Sequence, residues 1–133
     1  MNDQTTNIQE LKTLMWDFVK ERNWEKFQTL RNLAISLSLE ANDALKPFQW
    51  MNEEELEAYE NDPAKREQFA ANLIDVMSYV LIAFEKMNMD VAEQFAKKME
   101  KNKQKYSSDT FNKDANLSWE DDNKIYNDIK FKK

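Results

Sequence analysis

Apolar residues recur at helical spacing along most of the chain. Leu11, Met15, Phe18 and Val19 form one stripe, which predicts a helix from about Ile8 to Arg22. Thr6 followed by Gln9 fits a capping box at its start. A short link, Asn23–Thr29, carries Trp24 and Phe27. A second helix is expected over Leu30–Leu45, stopped by Pro47 because the residue before a proline avoids the α region. The acidic stretch FQWMNEEELEAYEN, Phe48–Asn61, reads as a loop with room for one short helix. Asp62 can cap and Pro63 suits the first position of a third helix, running to about Met87. Asp90 and Glu93 open a fourth, to about Tyr106. The expected organisation is therefore a helical domain over 1–106 and a polar tail over 107–133. In the tail, Ser118 with Asp121 can start one more short helix bearing Trp119, Ile125 and Tyr126. That tail is either loosely held or an arm packed on a neighbouring subunit.

Composition strengthens the all-α reading. The 133 residues include no glycine and two prolines. Tight hairpins need residues at positive φ, which glycine supplies, whereas helices joined by polar loops need none. The same absence removes the glycine-rich phosphate loops. With no cysteine and no histidine, a disulfide framework, a zinc finger, a typical zinc hydrolase and Cys or His nucleophile–base pairs are excluded. Any chemistry must run on carboxylates, hydroxyls, amides, lysine and arginine. A net charge of −6 argues against duplex nucleic acid as a partner. The longest apolar run, around Tyr79–Phe84, is too short to cross a membrane, and the polar N-terminus does not read as a signal peptide. A cytoplasmic protein is the expectation.

Two polar stripes then change the picture. At about 100° per residue, Asn32, Ser36, Glu40 and Asp43 fall on one narrow stripe of the second helix. Leu33, Leu37 and Ala44 flank it on one side, Ile35 and Leu39 on the other. An ordinary surface helix has one apolar face and one polar face. A carboxylate stripe between two apolar ones belongs in or beside a bundle interior. On the third helix, Gln68, Asn72, Asp75 and Tyr79 repeat the arrangement, with Phe69, Val76 and Val80 on one side and Ile82 on the other. Side by side, the helices would face Glu40 and Asp43 toward Asn72 and Asp75. Like charges near 4 Å repel by about 4 kcal/mol at an effective dielectric of 20. Three converging, partly desolvated carboxylates must protonate or take a positive partner. Either these acids point to solvent or pair with Lys and Arg, or they hold a hard cation such as Mg²⁺ or Mn²⁺.

At these residues the chain resembles the MazG-like, all-α nucleoside triphosphate pyrophosphohydrolases, a family that includes the dCTP pyrophosphatases. RNWEKFQTLRNLAISLSLEANDALKPFQW is similar to its first half, and REQFAANLIDVMSYVLIAFEKMNMDVAEQFAKKMEKNKQKY to its second. The resemblance implies a four-helix bundle completed as a homodimer or homotetramer. It implies hydrolysis of a (deoxy)nucleoside triphosphate to a monophosphate and pyrophosphate, with Mg²⁺, or alternatively Mn²⁺, held by two acid pairs. Those pairs map onto Glu40 and Asp43, and onto Asn72 and Asp75, with Glu40 as the residue that orients or deprotonates water. Arg31, Asn32, Trp50, Tyr79, Lys98 and Asn102 map onto substrate-binding positions. So does Gln28, near which the dCTP-selective members carry a histidine.

Two departures stand out. Family members usually carry Glu where this chain has Asp43 and where it has Asn72. The second change removes one negative charge from the metal set, and an amide oxygen ligates a hard cation more weakly than a carboxylate. Weaker or fewer bound metals and slower turnover are expected. A nucleotide-binding protein with weak or lost catalysis is thus the second reading, and a helical interaction module without ligand the third.

Overall fold

The computed structural model describes residues 1–111 and 117–132, and every regular element among them is helical. The chain divides into two compact units, Met1–Met89 and Asp90–Lys133. In the first unit α1 spans Ile8–Glu21, α2 Leu30–Leu45, α3 Glu53–Asn61 and α4 Pro63–Lys86. Short 3₁₀ turns at Glu25–Phe27 and Lys46–Phe48 join them. In the second, α5 spans Val91–Lys105, α6 Ser108–Phe111 and α7 Trp119–Lys130. The helix expected at 91–106 therefore groups with the residues after it. Of the expected tail, 112–116 and 133 lie outside the described residues.

The caps explain the boundaries. α1 is capped by Asn7, whose side chain accepts from the Glu10 amide while the Glu10 carboxylate accepts from the Asn7 amide. This reciprocal box displaces the expected Thr6/Gln9 pair by one residue, because a carboxylate accepts more strongly than a glutamine amide at the positive end of a helix. The acidic stretch expected to be mostly loop forms α3. Asn52 and Glu55 make a second capping box there, and Glu53 and Glu54 add negative charge to the first turn. Asp62 closes α3 and caps α4 through its carboxylate, with Pro63 at the first helical position, as the sequence predicts. Asp90 and Ser118 cap α5 and α7 as expected.

Without glycine, asparagine supplies the left-handed residue that ends two helices. Asn23 and Asn88 have φ of 55° and 52°. After α1, the Trp24 amide donates to the Val19 carbonyl and the Asn23 amide to that of Lys20, at 3.1 and 2.9 Å. After α4, Met89 donates to Phe84 and Asn88 to Glu85, at 3.0 and 2.9 Å. Both are complete Schellman motifs.

In the first unit, α4 is the central helix and packs against α2, α1 and α3. Val19, Leu33 and Ile82 form its core, with Met15, Trp16, Tyr79 and Ala83 packed around them. Phe48, Tyr59 and Phe69 interlock edge to face, with ring centroids 5.1 and 5.7 Å apart, and so tie α3 to α4. Lys12 lies buried on the inner face of α1. Its ammonium contacts the Glu85 carboxylate at 3.1 Å and donates to the Met89 carbonyl at 3.2 Å, pinning α1 to the end of α4. Taken whole, α4 also corrects the expectation that no segment is long enough to cross a membrane. Its 24 residues suffice by length and composition, because apolar positions extend well beyond Tyr79–Phe84. Asn72 and Asp75 in its middle are costly in lipid and belong on a bundle helix.

Within the second unit, the Tyr106 and Tyr126 rings stack at 5.5 Å, and the Lys105 ammonium donates to the Lys130 carbonyl at 3.4 Å.

Candidate active site

On α2, Leu33 and Ala44 are buried, whereas Ile35 and Leu39 stand exposed. The stripe Asn32–Ser36–Glu40 between them is half-buried, so it runs along the edge of the core, where the second helix meets the fourth. From the facing side, α4 presents Asp75, Ser78 and Tyr79. Glu40 and Asp75 line one cleft of about 250 Å³. Met15, Val19 and Ile82 form its apolar floor, and Phe18, Trp24, Gln28 and Tyr79 complete its walls.

The aromatic wall is built by the end of α1. The Schellman turn returns the chain so that the Trp24 ring meets the Phe18 ring edge to face, at 6.0 Å and 70°. The Arg22 guanidinium covers Phe18 at 3.6 Å and donates to the Phe18 carbonyl at 2.9 Å. Gln28 donates through Nε2 to the Trp24 carbonyl at 3.2 Å.

A second hollow of about 310 Å³ adjoins the first, since Gln28 and Tyr79 line both. Asn32, Ser36, Phe27 and Ile35 form the rest of it. Asn32 is fixed there by its Nδ2, which donates to the Phe27 carbonyl at 2.9 Å.

The other predicted residues stand elsewhere. Asp43 is exposed and pairs with Lys46 at 2.5 Å, one turn on from Glu40. Asn72 lies level with it: its Nδ2 donates to the Asp43 carbonyl at 3.4 Å, and its Oδ1 accepts from Gln68 at 3.3 Å. Two of the three expected carboxylates thus share a cleft. Among the described residues, no group of three or more acidic side chains stands ready to hold a metal. Arg31 is exposed, and Trp50 is 86% exposed and lines neither hollow. Lys98 and Asn102 lie on α5 in the second unit, Lys98 exposed beside Lys97 and Lys101, and Asn102 half-buried. Sequence reasoning overlooked Met15, Phe18, Trp24 and Ser78 as cleft residues. The stripe spacing held the signal for Ser78, three residues after Asp75; its hydroxyl donates to the Ile74 carbonyl at 2.8 Å.

The donor set fits a hard cation. It is all oxygen, and Mg²⁺ typically takes one or two protein carboxylates and completes its shell with water and substrate phosphates. Glu40 and Asp75 are such a pair.

The cleft thus lies where two helices of an all-α chain meet, with two carboxylates and an aromatic wall. Residues 35–120 match the MazG-like family, and the chain belongs to it. Among characterised relatives, it is 28% identical over 99 residues to dCTP pyrophosphatase 1 of Mus musculus and 27% identical over the same length to that of Homo sapiens. Each alignment takes in 74% of this chain and 58% of the relative, so the chain spans less than two thirds of the curated relatives it matches. It is also similar to the solved structure of a pyrophosphatase from Archaeoglobus fulgidus. There the TM-score is 0.67 at 31% identity, over 81% of this chain and 99% of the other.

Proposed function

We propose that this chain is a Mg²⁺- or Mn²⁺-dependent pyrophosphohydrolase that converts a (deoxy)nucleoside triphosphate to a monophosphate and pyrophosphate in the cytoplasm. The observation that carries this reading is the pairing of Glu40 and Asp75 in a cleft whose other wall is aromatic. One end suits a planar base, the other a metal-bound polyphosphate. Glu40 and Asp75 would hold the ion, with Asp43 and Asn72 one turn further along. A bound divalent ion supplies charge neutralisation of the phosphates and lowers the pKa of a bound water.

The chain's own residues do the rest. Glu40 is half-buried and accepts a proton from water as that water adds across the bond joining monophosphate to pyrophosphate. Phe18, Trp24 and Tyr79 pack on base and sugar, and the apolar floor excludes water from that end. Asn32, held by the Phe27 carbonyl, borders the adjoining hollow where the substrate extends. By the family resemblance, Arg31, Lys98 and Asn102 meet the phosphates and Trp50 the base. The exposed Ile35 and Leu39, beside the acid stripe, suit burial against a second copy in a homodimer or homotetramer.

A second reading is favoured by one observation. Asn72 is neutral and spends its amide on the Asp43 carbonyl, while Lys46 neutralises Asp43. A nucleotide-binding protein with weak turnover would look like this. The experiment is incubation with a panel of ribo- and deoxynucleoside triphosphates and Mg²⁺ or Mn²⁺, following pyrophosphate and, in parallel, calorimetric binding. Pyrophosphate release supports the first reading. Metal-dependent binding without products supports the second; the absence of both binding and products overturns the two readings and leaves a helical interaction module.

A further inference from the structure

We propose that the elbow between α3 and α4 is a second ligand site, which takes a free α-amino acid with a large apolar side chain. It stands apart from the cleft of Glu40 and Asp75 and does not rest on the nucleotide reading.

The hollow follows from the way the two helices join. α3 ends at Asn61 and α4 begins at Pro63, so Asp62 alone, with extended backbone, makes the bend. Tyr59 and Glu60, in the last turn of α3, and Arg66, Phe69 and Ala70, early in α4, then line one hollow of about 350 Å³. That volume lies in the lower part of the range of small-ligand pockets. Phe48 stands edge to face with both Tyr59 and Phe69, so the aromatic wall is held in place before any ligand arrives. Leu73 extends the apolar lining and is still 48% exposed, so a ligand side chain laid against it would take apolar surface out of water. Tyr59 and Glu60 fall between the two segments that resemble the family, and the resemblance assigns this hollow no role.

The two charges at the hollow decide the class of ligand. Glu60 and Arg66 are exposed there, and among the described residues neither makes a salt bridge. A carboxylate without an amine is drawn by Arg66 and repelled by Glu60. An amine without a carboxylate meets the reverse. A zwitterion satisfies both, with its ammonium at Glu60 and its carboxylate on the guanidinium fork of Arg66. An internal residue of a peptide, or of a second copy of this chain, carries neither charge. The charges therefore select the amino-acid backbone, and the aromatic wall selects its side chain.

The test is calorimetric titration of the full chain, without nucleotide, with L-phenylalanine, L-leucine, L-alanine, 3-phenylpropionate and phenethylamine. L-Phenylalanine and L-leucine should bind about tenfold tighter than alanine, and L-phenylalanine about tenfold tighter than either singly charged analogue. Arg66→Met and Glu60→Gln should each weaken L-phenylalanine about tenfold. Ala70→Trp, which fills the hollow from an exposed position, should abolish binding while helix content by circular dichroism and mass by light scattering stay the same. Glu40→Gln should leave the binding unaltered. Failure of every amino acid to bind at millimolar concentration would overturn the proposal. So would equal binding of a singly charged analogue, unchanged affinity in Ala70→Trp, or loss of binding in Glu40→Gln. If Ala70→Trp lowers the mass and no amino acid binds, the hollow is a contact between copies and the proposal fails. A chain that takes L-phenylalanine but no triphosphate keeps this site and sinks the nucleotide reading, so the two fail separately.

Discussion

Asn72 on α4 donates to the backbone carbonyl of Asp43 on α2, at 3.4 Å. The residue that stands where the family usually has a metal-binding glutamate thus acts as a strut between the two helices that carry the site. The bond is long and exposed, worth about 1 kcal/mol or less. Replacing it with Glu exchanges that strut for a negative charge near Glu40 and Asp75. Asn72→Glu is expected to tighten Mn²⁺ binding about tenfold, or 1.4 kcal/mol, and to raise turnover at limiting metal, while lowering the urea midpoint slightly. Mn²⁺ titration by electron paramagnetic resonance reads the affinity directly. Unchanged or weaker binding would show that position 72 lies outside the metal's reach.

Glu40 and Asp43 are three residues apart on one helix, yet their surroundings differ. Glu40 is half-buried in the cleft; Asp43 is exposed and already paired with Lys46. Glu40→Gln should lower kcat by about 10²-fold or more, and Asp75→Asn similarly, because each removes a cleft carboxylate. Asp43→Asn should cost much less, since an exposed ion pair contributes little. Steady-state kinetics at saturating Mg²⁺ separates them. A loss at Asp43 equal to that at Glu40 would contradict the division between carboxylates that line the cleft and one that does not.

The stripe logic accounts for how much of this was legible. Alternating apolar and polar stripes on α2 and α4 placed Glu40, Asp75 and Tyr79 at the core's edge, and they meet there. Asp62–Pro63, Asp90 and Ser118 marked helix starts correctly, because capping is local chemistry. The acidic stretch left room for one short helix, and the capping box of Asn52 with Glu55 sets it over Glu53–Asn61. Two features escaped. Nothing local in the sequence marks Lys12 for burial; only the distant Glu85 and Met89 explain it. Trp24 seemed a linker residue because its place on the cleft depends on a left-handed turn that periodicity does not encode.

Lys12 and Glu85 join α1 to α4 with the lysine side chain 8% and the glutamate 30% exposed. Removing one partner leaves the other desolvated, whereas replacing both with apolar groups does not. Lys12→Met should therefore cost about 2 kcal/mol, toward the low end because Glu85 keeps some water. Lys12→Met with Glu85→Met should recover most of that loss. Urea unfolding of the two single variants and the double variant gives the coupling. Additive losses would mean that the pair contributes nothing as a pair.

Ile35 and Leu39 are 53% and 61% exposed on the α2 stripe that borders the acid residues. If a second copy covers them, a charge there is buried without a partner. Ile35→Glu with Leu39→Glu should convert the assembly to monomer and cut activity, while helix content stays the same. Light scattering coupled to size exclusion measures the mass. A monomeric unaltered chain, or an unchanged oligomer in the variant, would remove the proposed interface.

Asn23 decides where Trp24 points. Its φ of 55° is open to glycine and asparagine but costs other residues about 1–2 kcal/mol, most of all those branched at Cβ. Asn23→Gly should hold stability within about 1 kcal/mol, since relief at positive φ offsets the extra freedom of the unfolded chain. Asn23→Val should lose about 2 kcal/mol and break the bonds from Trp24 to Val19 and from Asn23 to Lys20. Because the Gln28 amide hangs on the Trp24 carbonyl, the damage extends to the cleft. KM for the triphosphate should rise in Asn23→Val even at temperatures where the variant is fully folded, whereas Asn23→Gly keeps the unaltered KM. Thermal denaturation followed by circular dichroism fixes the working temperature, and kinetics below it gives the result. An unchanged KM in folded Asn23→Val would mean that the α1 turn holds the helix end but has no part in shaping the base-side wall.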